Sequence, residues 1–444
     1  RTACGTTTLG DSGDTFTIPA GVSISNSGTA SGFGSTGEVS WVTTKKTTGF
    51  TVTAGEGYFC DTSSGGFTVT LPAGTAGNSF AVADYTNTFQ TGNLTITPNG
   101  SQKIGGVAAS VKLNTEGQSA YFVYVDDTEG WKNVIDSTSN IIGFQGITAT
   151  GGTITTSGND KIHTFTGPGT FTVCSLAGCA ANNVVSYIVV AGGGGGGGRH
   201  GGGGGAGGFR EDQSPVTPYT ASPLDGAGAI TVTATGYPIT VGSGGTGGNR
   251  NPSSAGSSGG VSTFSTITSA GGGVGHTYLS SAGLAGGSGG GGGHPTPGTA
   301  GGAGNTPPVS PPQGSAGGAS QSPGENGGGG GGATAAATTA PTVAGSPGGA
   351  GATTEISGSS TAYAGGGGGG KYDGSPGNPG CGGTGGGGNG GGGPPGSPTA
   401  AVAGTANTGG GGGGYGGTNP GNPSPNCTGA NGGSGVVIIR YKIS

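Results

Sequence analysis

Alternating polar and apolar residues recur along the chain and predict short β-strands. The alternation is clearest at residues 66–72, 79–85 and 119–125, and turn-forming glycine, proline and asparagine residues lie between such stretches. Similar β-forming stretches predict further strands at residues 14–19, 22–25, 152–156, 161–165, 169–173, 184–190 and 436–444. No segment has a convincing helical spacing, so we predict an all-β fold.

The predicted strands fall into separate regions. Residues 1–36 contain no long apolar segment, so we expect them to form a β-rich shaft or trimerisation segment that neighbouring copies complete. Residues 37–140 carry most of the large apolar side chains and are predicted to form a small antiparallel β-sandwich. Residues 141–191 are predicted to be the β-strand base of a following domain, and 436–444 its closing strand.

Residues 192–435 are dominated by glycine, which makes up 119 of the 444 residues of the whole chain. Such a composition is typical of disorder. We favour an ordered alternative because charges are scarce here and a strongly β-forming strand follows. Only glycine lacks a Cβ, so runs of it can pack closely as polyglycine II helices that hydrogen-bond to one another. We expect the strand at 184–190 to pair with 436–444 and close this domain.

Composition and charge exclude several classes of protein. Charged residues are 7% of the chain, the formal net charge is −5, and 13 Lys and Arg residues form no basic block, so we expect no nucleic-acid partner. No apolar run approaches the ~18 residues of a membrane span, and we expect no membrane insertion. The sequence contains no methionine, from which we expect a processed chain or an excised fragment.

Candidate chemistry is sparse. Histidines and cysteines have no paired metal-ligand spacing, so neither a metal nor a cofactor is expected. Cys174 and Cys179 suit a disulfide at a hairpin turn, and Cys381 with Cys427 could cross-link the glycine domain in an oxidising compartment. Residues 10–14 superficially resemble the nucleophile segment of serine proteases, but no histidine precedes position 163. We expect no enzymatic activity.

Aromatic, basic and histidine side chains interrupt the glycine region, beginning with Arg199 and His200. If the glycine helices are rigid, loops at their ends would present such side chains together on one face, and tyrosine suits recognition surfaces because it brings large contact area at small entropic cost. The alternative is that several of them seal the sides of the lattice. The candidate receptor-binding residues are His276, Tyr278, His294, Tyr363, Lys371, Tyr372, Asp373 and Tyr415.

Several stretches resemble tail-fibre proteins of marine bacteriophages. They correspond to a repeat near the shaft, to the domain that follows it, and to the opening and closing of a glycine-rich terminal domain, and they lie at residues 7–14, 18–30, 99–106, 115–119, 124–126, 189–194 and 432–441. More loosely, the glycine-rich region resembles the tip adhesins of T-even phages, whose polyglycine II helices carry loops that contact the bacterial surface.

The resemblance implies a homotrimeric tail-fibre protein of the virion, extracellular when it functions. Such a protein would recognise the host by binding a bacterial cell-surface receptor, either a glycan or an outer-membrane protein, and would join other tail or fibre proteins through its N-terminus. The alternative is a structural subunit of an extracellular glycine-rich filament or sheath. A hydrolase of surface polysaccharide would need a carboxylate pair, and the sequence offers no convincing one.

Overall fold

The computed structural model describes residues 39–137, 146–249, 254–278, 282–294, 298–393, 399–417 and 428–443. The chain divides into two compact units, residues 1–143 and 144–444. Regular structure in the described residues is β-strand, apart from one 3-10 turn at Ala180–Asn182, which confirms the all-β prediction. The predicted shaft segment 1–36, with its two predicted strands and the protease-like stretch, lies outside the described residues.

The first unit contains two sheets. Its strands are β1 (Ser40–Lys46), β2 (Phe50–Thr51), β3 (Glu56–Cys60), β4 (Phe67–Thr70), β5 (Ser79–Asp84), β6 (Leu94–Thr97), β7 (Val111–Leu113), β8 (Ser119–Asp126) and β9 (Gly130–Ser137). One sheet has the order β1-β3-β5-β8-β9 and the other β2-β4-β6-β7. Side chains from both sheets share one apolar core, which includes Val69, Phe80 and Trp131.

Strand direction in this unit differs from the prediction. The pairs β1–β3, β3–β5, β2–β4 and β4–β6 are parallel, and only the pairs made by β7, β8 and β9 are antiparallel. From β1 to β6 the chain passes alternately from one sheet to the other, so β2, β3, β4 and β5 each serve as the crossover between two parallel strands of the other sheet. Parallel neighbouring strands ordinarily need a long crossover connection. The sequence pattern alone did not indicate that a strand of the other sheet makes this connection.

Most of the apolar residues of this region are buried, with two exceptions among the large aromatics. Trp41 is 43% and Tyr85 52% exposed. Their rings flank Phe59, whose ring centroid lies 4.9 Å from that of Trp41 and 6.4 Å from that of Tyr85. Trp41 and Tyr85 therefore lie in an aromatic row outside the core, although their large apolar side chains alone would place them inside it.

The second unit contains the remaining strands. They are β10 (Thr148–Thr150), β11 (Thr153–Ser157), β12 (Asp160–Phe165), β13 (Gly169–Ser175), β14 (Val184–Val190), β15 (Phe209–Asp212), β16 (Ile230–Thr231), β17 (Gly236–Thr240), β18 (Ser262–Phe264), β19 (Ile267–Ser269), β20 (Ala352–Thr354), β21 (Thr361–Tyr363) and β22 (Val436–Lys442). They form a sheet in the order β10-β13-β17-β18-β19, a sheet in the order β11-β12-β22-β14-β15 with β16 beside β14, and the hairpin β20-β21.

The strands before and after the glycine-rich region pair as predicted. β14 and β22 are antiparallel neighbours, with Val190 opposite Val436 at the point where each strand meets glycine. β12 pairs with the other edge of β22, and there Arg440 forms a buried ion pair with Asp160 at 2.7 Å. The two ends of the glycine-rich region are therefore held side by side in one sheet.

Between these strands, runs of glycine form a hydrogen-bonded lattice of polyglycine II helices. In the run 192–197 every third N–H donates to the same neighbouring segment. The bonds are Gly192 to Gly260, Gly193 to Gly433, Gly194 to Gly205, Gly195 to Ser257, Gly196 to Ala430 and Gly197 to Gly202, at 2.9–3.0 Å between nitrogen and oxygen. The period of three is that of a polyglycine II helix.

The carbonyl groups of the same run are satisfied by three further segments. Residues 270–276, 242–249 and 409–415 donate to them, again in a period of three. Residues 192–198 are all buried, and a Cβ added at Gly195 would overlap the carbonyl oxygen of Thr246. Because no side chain fits between the helices, glycine is required where one helix is surrounded by others.

Candidate binding surface at the ends of the glycine helices

The glycine helices run alternately away from and towards the sheets of the second unit. Residues 192–198 leave β14, and residues 201–208 return to β15. Residues 270–276 likewise leave β19, and 409–415 run beside 192–198 with Tyr415 donating to Gly197. We call the end of these helices opposite the sheets the distal end. The reversal at residues 199–200, which the structure describes, is a connection without regular structure that is positioned by the lattice.

The first reversal is made by two residues in left-handed conformation. Arg199 and His200 have φ values of 45° and 49°, which are uncommon for residues other than glycine. Immediately beside the turn, Gly197 donates to Gly202 at 2.9 Å. The turn also positions its neighbours, because Tyr278 donates its N–H to Arg199 and His294 donates its N–H to His200.

Four rings meet at this turn, and we call them the distal ring cluster: His200, Tyr278, His294 and Tyr372. The ring of His200 stacks on Tyr372 with centroids 5.3 Å apart, and it lies 5.2 Å from Tyr278 and 5.9 Å from His294. Tyr278 also stacks on His294 at 6.2 Å. These side chains are separated by up to 172 positions in sequence numbering, from 200 to 372, and the lattice brings them together.

Polar groups surround the distal ring cluster. The guanidinium of Arg199 lies over the ring of Tyr278, 4.6 Å from its centroid. Nδ1 of His200 is 3.0 Å from the backbone oxygen of Glu325 and 3.8 Å from its carboxylate. Burial lowers the pKa of His200 and of His294 below the ordinary value. Burial therefore favours the neutral form of both rings.

Hydrogen-bonding capacity is left over in this region. His294 is only 2% exposed, and both of its ring nitrogens are buried without a hydrogen-bond partner. The ring nitrogens of His276 and Nε of Arg199 are in the same situation. A buried polar atom without a partner ordinarily costs about 1–3 kcal/mol, so such atoms mark places where a ligand could supply the missing bonds.

Comparison with known proteins places the lattice and its flanking strands in one family unit. A family model described as a glycine-rich domain matches residues 164–442. The chain belongs to this glycine-rich domain family. The match begins within β12 and ends with β22, so the family unit includes the strands that hold the ends of the lattice. A search of curated proteins finds no match to the chain.

Within the glycine-rich domain, three of the candidate receptor-binding residues, Tyr278, His294 and Tyr372, join the distal ring cluster. His200 completes the cluster and Arg199 lies beside it, and neither was among the selected candidates. The sequence does contain a feature that could have identified them. Arg199 and His200 are the only two residues between two glycine runs, and so short a connection between helices requires a tight reversal.

The other candidates lie at two different places. Lys371, Asp373 and Tyr415 follow helices that reach the distal end, and Lys371 and Tyr415 are each 2% exposed. Their backbones continue the lattice, with Lys371 donating to Gly391 at 3.0 Å. His276 lies at the end of its helix and accepts from Gly202. Tyr363 lies in β21 at the opposite end of the helices, buried in an apolar core with Ile356.

The cysteines differ from the disulfide expectation. Cys174 and Cys179 are exposed free thiols, so the disulfide predicted between them is not formed in this structure. Cys381 is also free and exposed, and Cys427 lies outside the described residues. The described part of the chain contains no group of three or more His, Cys, Asp or Glu side chains placed to hold a metal ion.

Among the residues that can be described there is also no helix with the length and apolar character that a membrane crossing requires.

Proposed function

We propose that this chain is the host-recognition protein of a phage tail fibre and that it binds a bacterial cell-surface receptor through the distal end of its glycine-rich domain. The observation that carries the proposal is the distal ring cluster. Four rings and one guanidinium converge there on separate loops, whereas the opposite end of the helices is occupied by β-sheets.

Rigidity of the lattice favours this function. A receptor that binds preformed loops does not have to order them, so less of the interaction free energy is spent on immobilising side chains. The turn at Arg199 and His200 is fixed on both sides by glycine helices whose N–H and C=O groups bond to neighbouring helices. In the proposed homotrimer, three identical distal ends would convert weak single contacts into avid attachment.

The remaining parts of the proposal rest on the resemblance to tail fibres. They are the trimer, the connection to other tail or fibre proteins through the N-terminus, the presence in the virion, and the extracellular site of action. No reaction, metal or cofactor is part of the proposal.

Attachment to cells tests the function. Fluorescently labelled chain is incubated with a panel of marine bacterial isolates, and the wild type is compared with a double variant, Tyr278→Ala with Tyr372→Ala. We expect the double variant to lose attachment by roughly tenfold or more. Tyr85→Ala is the matched control, because Tyr85 is an exposed tyrosine of the first unit. Equal attachment by the double variant and the wild type would reject the proposal.

A structural filament subunit is the second candidate, and the edge strand β1 of the first unit favours it. Among the described residues β1 is a terminal strand of its sheet, and a strand edge can accept a strand from another chain. Negative-stain electron microscopy with light scattering distinguishes the candidates. Discrete rods of about three chain masses support the tail fibre, and long polymers of uniform width support the filament.

A further inference from the structure

We propose that the distal ring cluster is a binding site for a neutral pyranose unit of a bacterial surface glycan. This inference rests on the proposed function and names its ligand class. It combines the ring geometry, the unpartnered nitrogens of His294 and the local balance of charge.

The two tyrosine rings bring partly exposed aromatic surface to the site. His200 stacks on Tyr372 with 27° between the ring planes, and Tyr278 stacks on His294 with 24°. Tyr278 and Tyr372 are partly exposed, whereas His200 and His294 are buried. A pyranose has a face of C–H groups with positive polarity, which packs favourably on the negative face of an aromatic ring.

The unpartnered nitrogens of His294 complement the hydroxyl groups of a sugar. A neutral imidazole offers one donor and one acceptor, and a hydroxyl group can act as either. A sugar hydroxyl group can therefore pair with either nitrogen of His294, and both nitrogens have no hydrogen-bond partner in the described structure. A carboxylate or a phosphate dianion offers only acceptors, so it can pair only with the protonated nitrogen.

Charge at the distal end also favours a neutral ligand. Arg199 packs over Tyr278 and Glu325 lies 3.8 Å from the ring of His200, so the cation beside the cluster has an anion near it. Lys371 and Asp373 add one further charge of each sign, and Lys371 is buried. Without an excess of cations, the surface has no positive potential that would attract acidic sugars or lipid phosphates.

A protein receptor is the competing class of ligand. A small cluster with buried unpartnered nitrogens suits a compact polyhydroxyl group better than a protein surface.

Saturation-transfer NMR on the full chain tests the ligand class. The probes are the methyl glycosides of glucose, galactose, mannose and N-acetylglucosamine, with methyl glucuronide as the acidic comparison. We expect saturation of the ring C–H protons by at least one neutral glycoside and a weaker effect for the glucuronide. Tyr278→Ala and His294→Phe should each weaken binding roughly tenfold. His294→Phe keeps the ring and removes only its nitrogens.

The control variants define the site. Tyr85→Ala should bind like the wild type, and loss of binding in this variant would overturn the assignment to the distal end. Hydrogen exchange over residues 192–208 shows whether each variant retains the lattice. No saturation by any neutral glycoside, or stronger binding of the glucuronide, would overturn the inference.

Cell attachment separates this inference from the proposed function. Periodate oxidation of the cells should abolish attachment and protease treatment should leave it intact. Attachment that depends on Tyr278 but is abolished only by protease overturns the glycan inference and leaves host recognition standing. Glycoside binding without attachment to any isolate overturns host recognition and leaves the sugar site standing.

Discussion

Replacing Gly204 by alanine tests whether the glycine lattice is held together as its hydrogen bonds indicate. The added Cβ would overlap the carbonyl oxygen of Gly194 in the adjacent helix. That oxygen accepts from Gly412 at 2.9 Å, and the N–H of Gly194 donates to Gly205 at 2.9 Å. Clearing the methyl group therefore requires Gly194 to move and disrupts both bonds.

The free energy of this change follows from the buried groups it leaves without partners. Each such group costs about 1–3 kcal/mol, and disrupting two bonds leaves at least two of them, so we expect destabilisation of about 2–6 kcal/mol. In the absence of a steric conflict, Gly→Ala stabilises a protein by about 0.4–1 kcal/mol through the unfolded chain. Gly204→Ala should therefore lower the free energy of unfolding, whereas Gly→Ala without a steric conflict raises it.

Gly167→Ala is the matched control. Gly167 lies in the turn between β12 and β13, and a Cβ built there has no other atom within 4 Å. Both tryptophans, Trp41 and Trp131, lie in the first unit, so tryptophan fluorescence does not follow the lattice. Scanning calorimetry and hydrogen exchange over residues 192–208 are the appropriate measurements.

The two variants should diverge. Gly204→Ala should lower the melting temperature of the second unit by several degrees and speed amide exchange in the lattice, and Gly167→Ala should change neither by a comparable amount. If Gly204→Ala melts and exchanges like Gly167→Ala, the helices are not packed backbone against backbone, and the account of why glycine is required is wrong.

Three further predictions concern buried groups. Burial lowers the pKa values of the two histidines of the distal ring cluster, so the unfolded chain binds more protons than the folded chain. Stability measured by calorimetry should therefore decrease as the pH falls below about 6.5. The decrease should be smaller in His294→Phe. Arg440→Ala leaves Asp160 buried without its cation and should cost about 3–5 kcal/mol in thermal unfolding, and an unchanged stability would contradict this. Burial raises the pKa of Cys60 to about 12, so peptide mapping should find maleimide on Cys381 in the native protein and on Cys60 only after unfolding.

The closure of the glycine-rich domain could be predicted from sequence. Residues 184–190 and 436–444 are apolar and β-forming, and a long polar, glycine-rich stretch lies between them. Two such strands have to bury their apolar faces, and pairing with each other is the direct solution. The structure confirms this with the antiparallel register from Ser186 opposite Arg440 to Val190 opposite Val436.

The parallel strands of the first unit could not be predicted in the same way. Alternation of polar and apolar residues indicates that a strand has one buried face, but it carries no information about which neighbour the strand pairs with. Phe50 and Val69 are opposite each other in the parallel pair β2–β4, with β3 in the other sheet between them in sequence. An antiparallel meander would give the same pattern.

The candidate site was only partly predictable, because the sequence of a glycine run does not show which of its ends lies at the sheets and which at the distal end. Composition indicated that aromatic residues beside the runs are important, and it grouped Tyr278 with Tyr363. Only the direction of each helix distinguishes them, and direction depends on counting every reversal between β14 and β22. Tyr363 precedes a helix at the sheet end, whereas Tyr372 follows the same helix at the distal end.

The lattice has a thermodynamic consequence that follows from what it buries. Its interior consists of peptide groups with almost no side chains, as in residues 192–198 and 201–208. Unfolding the lattice exposes polar surface, and this lowers the heat capacity. Unfolding the flanking sheets exposes their smaller apolar cores, and this raises the heat capacity. The heat-capacity change per residue should therefore lie below the usual value of about 12–15 cal/mol/K. The stability of this domain then varies less with temperature than that of a protein built around an apolar core, and cooling weakens it less.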